Sequence, residues 1–265
     1  MLSAVTLLFS SCLGDSEYTP TYGLTGRPLG DLSSSVMLDN GVIATLSGVS
    51  ATDLMTVDRL FVYGSLAGES AELEQVAPGD KITITPNAII PMDEMELLTD
   101  ENPYQDLNLS EIGSLSWYNY IMNINAINGY IYFMITGDCY MKKSESSSSN
   151  SNTSWNTVAP NFYINVERVD TNAKIVDLVI GFDNRETECT EDGELKDGYT
   201  KQQNTLFALY FNASSLYNQL EGLTDEDTVT FNIYKAEKDN DGEVDKEQIS
   251  LSFTGIQKGA LKRNY

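Results

Sequence analysis

The stretch NFYINVERV (161–169) decides the fold class. Phe162, Ile164 and Val166 alternate with Tyr163, Asn165 and Glu167, giving one apolar and one polar face at a period of two. That is the pattern of a half-buried β-strand. It recurs on both sides: in INGYIYFMI (127–135) through Ile131, Phe133 and Ile135, in TVTFNIYK (228–235) through Val229, Phe231 and Ile233, and in ISLSF (249–253). Tyr118, Tyr120, Met122 and Ile124 extend the series upstream, and Asn128-Gly129 marks a turn or bulge between the two runs. LVIGF (178–182) and LFALYF (206–211) are nearly unbroken apolar runs, as expected of strands covered on both faces. Only ASSLYNQLEG (213–222) has helical spacing, with Leu216 and Leu220 four apart and Gly222 placed to end it. Residues 115–257 are therefore expected to form an antiparallel β-sandwich of about seven or eight strands.

The N-terminal half carries shorter strands. In SVMLDNGVIATL (35–46) two apolar runs flank Asp39-Asn40-Gly41, and Asn-Gly between such runs predicts a type I′ hairpin turn. DRLFVYGSLAG (58–68) and GDKITITPNAIIP (79–91) continue the strand pattern, so residues 33–100 are expected to make a small OB-like barrel. The whole chain is then all-β: a small OB-like barrel followed by an antiparallel β-sandwich. Asp100 to Ser114 is acidic and aperiodic and reads as a linker, and KKSESSSSNSNTSWNT (142–157) as a polar, mobile loop in which Trp155 stands out.

Composition removes several chemistries. The 265 residues include no histidine, which excludes Ser-His-Asp and Cys-His nucleophiles, His-containing zinc sites and a histidine general base. Sixteen Lys and Arg against 39 Asp and Glu give a formal charge of −23, so a nucleic-acid backbone is repelled from most of the surface. The acids cluster in three loop-like stretches, 92–106, 186–198 and 237–247, where solubility is the preferred account over a dedicated cation-binding role.

At the N-terminus, LSAVTLLF (2–9) is an uncharged apolar run followed by Ser10, Ser11 and Cys12. Eight residues reach only ~12 Å as a helix, too short to span a bilayer. The stretch resembles a bacterial lipoprotein signal, with Leu8 to Ser11 as the lipobox and Cys12 as the lipidated first residue of the mature chain. Phe9 stands where leucine is usual, and no Lys or Arg precedes the run. Residues 1–11 are then a signal peptide and 12–32, which include the Pro- and Gly-rich DSEYTPTYGLTGRPLGD, a tether. The competing reading is an ordinary first strand with a buried cysteine.

This order of parts resembles the NigD-like lipoproteins of the Bacteroidetes: lipobox, tether, a β domain with DRLFVY and KITITPNAII, then a sandwich with INGYIYFMI, NFYINVERV, ALYFNASSL and TVTFNIYK. The resemblance implies an OB-like domain followed by a sandwich, an outer-membrane lipid anchor on the periplasmic or surface face, and a link to bacteriocin immunity. It carries over no functional residue. Such proteins often bear a histidine in the second domain, and this chain has none.

Few constellations suggest chemistry. In EKDNDGEVDKEQ (237–248), Asp239, Asp241 and Gly242 fit a calcium loop, but Glu237 and Gln248 occupy its first and last positions and strands flank it, so a hairpin turn is preferred. Cys139 and Cys189 remain once Cys12 is assigned, either as one disulfide or as two thiols. Trp155 is a candidate ligand platform, for instance for a sugar ring. No catalytic, metal or cofactor-binding residue stands out, and no cofactor is expected. The expected partners are membrane lipid through acylated Cys12 and a protein or glycan of undetermined identity, with no nucleic acid. The preferred function is a non-enzymatic, lipid-anchored interaction module; the alternatives are a carboxylate-dependent glycan hydrolase and a structural part of a surface assembly.

Overall fold

The computed structural model describes residues 20–30, 33–67, 76–100, 102–105, 107, 109, 116–117, 125–143, 155–158, 160–183, 194–238 and 241–264. The chain divides into two compact units, 1–93 with 264–265, and 94–263.

The first unit is a closed five-stranded barrel of β1 (Thr21–Pro28), β2 (Ser35–Leu38), β3 (Ile43–Leu46), β4 (Arg59–Leu66) and β5 (Lys81–Glu94). β1 pairs with β2 and β4, β2 with β3, and β4 with β5, all antiparallel; β3 and β5 close the ring in parallel. This order, 1-2-3-5-4-1, is the OB arrangement anticipated above. Its interior is filled by Val36, Leu38, Ala44, Leu46, Leu60, Val62 and Ile84, and by Leu54 of the short helix α1 (Ala51–Leu54). Burying one such side chain contributes about 1.5–3 kcal/mol.

Three details of the barrel differ from expectation. β1 occupies Thr21–Pro28, inside the stretch read as tether. The glycines that suggested flexibility are instead demanded by packing. A Cβ on Gly23 would stand 2.9 Å from the Phe61 ring, and one on Gly26 would stand 2.5 Å from the Met37 carbonyl. The Asp39-Asn40-Gly41 turn is a three-residue loop rather than type I′. Gly41 alone takes positive φ (84°), the Gly41 N–H donates to Leu38 O at 2.9 Å, and Asn40 Oδ1 accepts from the Val42 N–H. β5 also tolerates Pro86, which sits beside the register shift opposite Tyr63 and Gly64.

The second unit is a sandwich. One sheet runs β6 (Glu96–Leu98), β11 (Asn161–Asp170), β12 (Ile175–Asp183), β14 (Thr228–Lys238), β15 (Val244–Gln257). The other is built on β9 (Tyr130–Lys143), paired along its length with β13 (Tyr199–Asn212). The opposite edge of β9 takes the short strands β8 (Asn125–Ile127), β7 (Ser116–Trp117) and β10 (Trp155–Val158) in turn. Between the sheets lie Ile131 and Phe133 of β9, Phe207, Leu209 and Phe211 of β13, and Phe162, Ile164, Leu178, Ile180, Phe231 and Ile233 from the facing strands. Phe162 approaches Phe182 and Phe207 at 5.2 Å each, tying the sheets together. Two pairings, β12 with β14 and β11 with β6, run parallel, a distinction on which side-chain alternation is silent.

Local signals that held include Asn128-Gly129, both at positive φ (53° and 80°), which turn the β8–β9 hairpin as a type I′ pair. Helix α2 (Ser214–Gln219) buries Leu216, and Leu220 just beyond it is buried too, before Gly222 at φ 82°. Glu237 pairs with Asp245 and Lys238 with Val244 in the β14–β15 hairpin, with Gly242 at φ 80°. Two readings are corrected. Lys142, Lys143, Asn156 and Thr157, expected within a mobile loop, belong to β9 and β10, and Trp155, set apart from that loop, begins β10. Within the stretch read as a linker, Tyr104 and Leu109 are buried against Val179 and Ala236 on the outer face of the second unit's β11–β12–β14 sheet, and the Tyr104 hydroxyl donates to Val179 O at 2.6 Å. Gly181 makes room for it, since a Cβ there would lie 2.6 Å from Tyr104 Cε1. β12 is thereby covered on both faces, which explains its unbroken apolar run. The expected strand over 118–124 lies outside the described residues.

Candidate functional site

Cys12 and Cys189 lie outside the described residues. Cys139 sits on β9 opposite Gln202, and Trp155 on β10 opposite Lys143, with both side chains outside what the structure describes. Among the described residues, no group of three or more Cys, Asp or Glu is placed to hold a metal ion.

The polar groups that do meet are joined to one another. In the barrel, buried Arg59 pairs with buried Asp39. On the outer face of β12, Asp177 accepts from Arg168 Nε at 2.7 Å and from Asn232 Nδ2 at 2.8 Å. Beside α2, Asp227 accepts from Lys174 Nζ at 2.6 Å and from the N–H and hydroxyl of Thr224. The Lys174 ammonium and these donors hold the Asp227 carboxyl well below the usual carboxylate range. Tyr217 donates to Asp225 at 2.7 Å, which pushes its phenol up, and Lys258 lies 4.6 Å from its ring centre. Buried Lys258 in turn donates to Leu223 O at 2.8 Å. Hydrogen bonds from the 3₁₀ turn Lys258–Leu261 to Asp225 and Asp227 complete a clasp that holds α2 and the chain's last turn together. Every charge in it has a structural partner, so it reads as architecture.

A different arrangement lies where the second unit begins. Glu94, Met95, Glu96 and Leu97 form one wall of an open cleft of about 510 Å³, and Asn212, Ser214 and Ser215 form the other. Two bonds fix the first wall: Met95 N–H donates to Tyr210 O at 2.8 Å, and Asn165 Nδ2 donates to Leu98 O at 2.9 Å. Met95 is buried beneath it, while Glu94, Glu96 and Leu97 are exposed. On the far wall Asn212 Oδ1 accepts from the Ser214 N–H and hydroxyl, which orients both side chains. The cleft therefore offers two carboxylates, two hydroxyls and an amide around an apolar floor. The sequence pointed only to the acidic stretch 92–106, because the walls are far apart along the chain.

The barrel surface is informative through its charge. The first unit holds three cations, Arg27, Arg59 and Lys81, against eleven Asp and Glu. Arg59 is buried with Asp39, which leaves two exposed. A nucleic-acid strand on an OB barrel needs a basic groove with stacking aromatics.

Fold and site together define an all-β protein of two units, an OB barrel and a β-sandwich, with an acidic cleft on the second. No protein-family model and no curated protein matches the chain. Among solved structures it is similar to a candidate lipoprotein of Bacteroides fragilis NCTC 9343, with TM-score 0.52 and 12% identity over 90% of this chain and 98% of that one. A NigD-like immunity protein of Bacteroides caccae ATCC 43185 is also similar, with TM-score 0.45 and 14% identity over 91% and 99% of the two chains. A candidate toxin-related protein of Parabacteroides distasonis ATCC 8503 is similar at TM-score 0.44 and 14% identity, over 89% of this chain and 92% of that one. At such identities the first likeness establishes fold. The NigD-like group likened to this chain on its sequence stands among its structural neighbours.

Proposed function

We propose that the protein is a lipid-anchored, non-enzymatic component of the outer membrane whose β domains act as a binding or interaction module, with bacteriocin immunity or a surface accessory role. The observation that carries this reading is the near end-to-end correspondence in fold with a candidate lipoprotein, joined to the LLFSSC stretch of this chain. Three acyl chains on Cys12, at roughly 0.8 kcal/mol per buried CH₂, make such an anchor effectively permanent. The polar clusters support an interaction role over hydrolysis, since their charges are spent on structure. The acidic cleft has Met95 and Leu97 where a glycan hydrolase would present aromatic rings. Two outward cations on the barrel speak against nucleic acid as partner.

Labelled palmitate tests the anchor: incorporation is expected in the natural chain and lost in Cys12→Ala, and equal labelling of both overturns it. Bacteriocin challenge and glycan-array binding test the module. Protection or a bound glycan supports it, and silence in both refutes the immunity and glycan roles in favour of a structural one.

A further inference from the structure

We infer that the cleft between Glu94–Leu97 and Asn212–Ser215 is a docking groove for an extended protein segment bearing lysine or arginine. The inference rests on the reading of the protein as an interaction module and names the chemistry of its partner. Three observations carry it. Glu94 and Glu96 are exposed at the rim, and neither carboxylate makes a hydrogen bond or ion pair with another described residue, unlike the carboxylates of Asp39, Asp177 and Asp227. Glu94 ends β5 and Glu96 begins β6, and both line the same cleft, so the two charges act together on whatever enters it. Leu97, an apolar side chain 37% exposed, lies next to them on β6.

β6 is the third observation. It is an edge strand of three residues whose described pairing is to β11 alone, in parallel. An edge offers backbone N–H and C=O groups to an incoming strand, and the Met95 and Leu98 bonds keep it straight beside the cleft. A lysine or arginine fits the rest. Its hydrocarbon stem lies along Met95 and Leu97 while its head reaches the carboxylates, and the Ser214 and Ser215 hydroxyls border the same space. The net charge of −23 draws cationic segments toward the surface, and the cleft selects where they settle.

The test uses a fluorescein-labelled nonapeptide of Ser-Leu-Lys repeats, with a Ser-Leu-Glu peptide for comparison, and fluorescence anisotropy on the full chain at physiological salt. Binding of the lysine peptide alone is expected. Glu94→Gln/Glu96→Gln should weaken it about tenfold and Leu97→Ser several-fold, whereas the charge-matched Glu221→Gln/Glu226→Gln, exposed and outside the cleft, should change it less than about twofold. Equal losses in both double variants would show diffuse attraction and overturn the groove, as would absence of binding to the lysine peptide. Palmitate labelling at Cys12 is independent of this result, so failure of the groove and failure of the anchor are told apart.

Discussion

Tyr104 and Gly181 provide the sharpest test of how the second unit is built. The Tyr104 ring occupies a socket that exists because residue 181 has no side chain, and a Cβ there would stand 2.6 Å from Cε1 and 3.0 Å from Cδ1. Its hydroxyl, buried and bonded to Val179 O, is also pushed up in pKa, by burial first and by the Glu167 charge second. Gly181→Ala alone forces the ring out or the strand apart, and overpacking of this kind costs about 1–3 kcal/mol. Tyr104→Ala alone removes a buried ring and a hydrogen bond, for a loss of about 3–5 kcal/mol. In the Tyr104→Ala background the clash is gone. Gly181→Ala there should be neutral or stabilising by about 0.5 kcal/mol, because glycine in a strand interior is entropically unfavourable. The double-mutant cycle is thus expected to show a coupling of about 1–3 kcal/mol. With a urea slope of about 2 kcal/mol per molar, the Gly181→Ala midpoint drops by roughly 0.5–1.5 M only when Tyr104 is present. Trp117 and Trp155, the two tryptophans of the chain, both lie on strands of the second unit and report its unfolding. If Gly181→Ala costs the same in both backgrounds, Tyr104 is not seated in that socket, and the 100–114 stretch is the free linker its composition suggests.

Three further outcomes are expected. Gly64→Ala places a Cβ 2.5 Å from Thr85 O and 2.8 Å from Pro86 Cα, both backbone, so the barrel should lose more than about 3 kcal/mol; an unchanged melting temperature contradicts the tight β4–β5 contact. Arg59→Met leaves Asp39 buried without its partner at about 3–5 kcal/mol, and Arg59→Met/Asp39→Leu should recover most of it in thermal melts. Asp227, its carboxyl depressed by Lys174 and Thr224, contributes stability that is present above its ordinary value of 3.8 and is lost as pH falls toward its folded value. Acid titration by circular dichroism should therefore show a steeper loss below about pH 4 in the natural chain than in Asp227→Asn, and identical acid limbs would refute this role.

Much of this architecture is legible where one residue decides one local conformation. Asn128-Gly129, Leu216 with Leu220 and Gly222, and the unbroken run of β12 each carry their geometry in their own chemistry. What escaped reading depends on neighbours remote in sequence. Gly23 and Gly26 look like flexible tether until Phe61 and Met37 are brought against them. Tyr104, Leu107 and Leu109 have no period because they fill individual sockets of another element's surface. Side-chain alternation is the same in parallel and antiparallel strands, so the β12–β14 pairing leaves no trace in it. The cleft is hidden for the same reason: Glu94 and Glu96 look like two more acids in an acidic stretch until Asn212 and Ser214 face them.

The start of β1 at Thr21 sets a length scale for the proposed anchor. With Cys12 as the acylated residue, nine residues, Cys12 to Pro20, would separate lipid and barrel. At about 3.5 Å per residue, their full reach is roughly 30 Å. The end of the barrel that bears Thr21 also bears the start of β5 and the Asp39–Val42 turn, since β1 and β4 run antiparallel and β3 and β5 start together. Under the proposed anchor that end would be confined to a shell about one bilayer thickness deep, and a partner meeting it there would be embedded in the membrane or pressed against it.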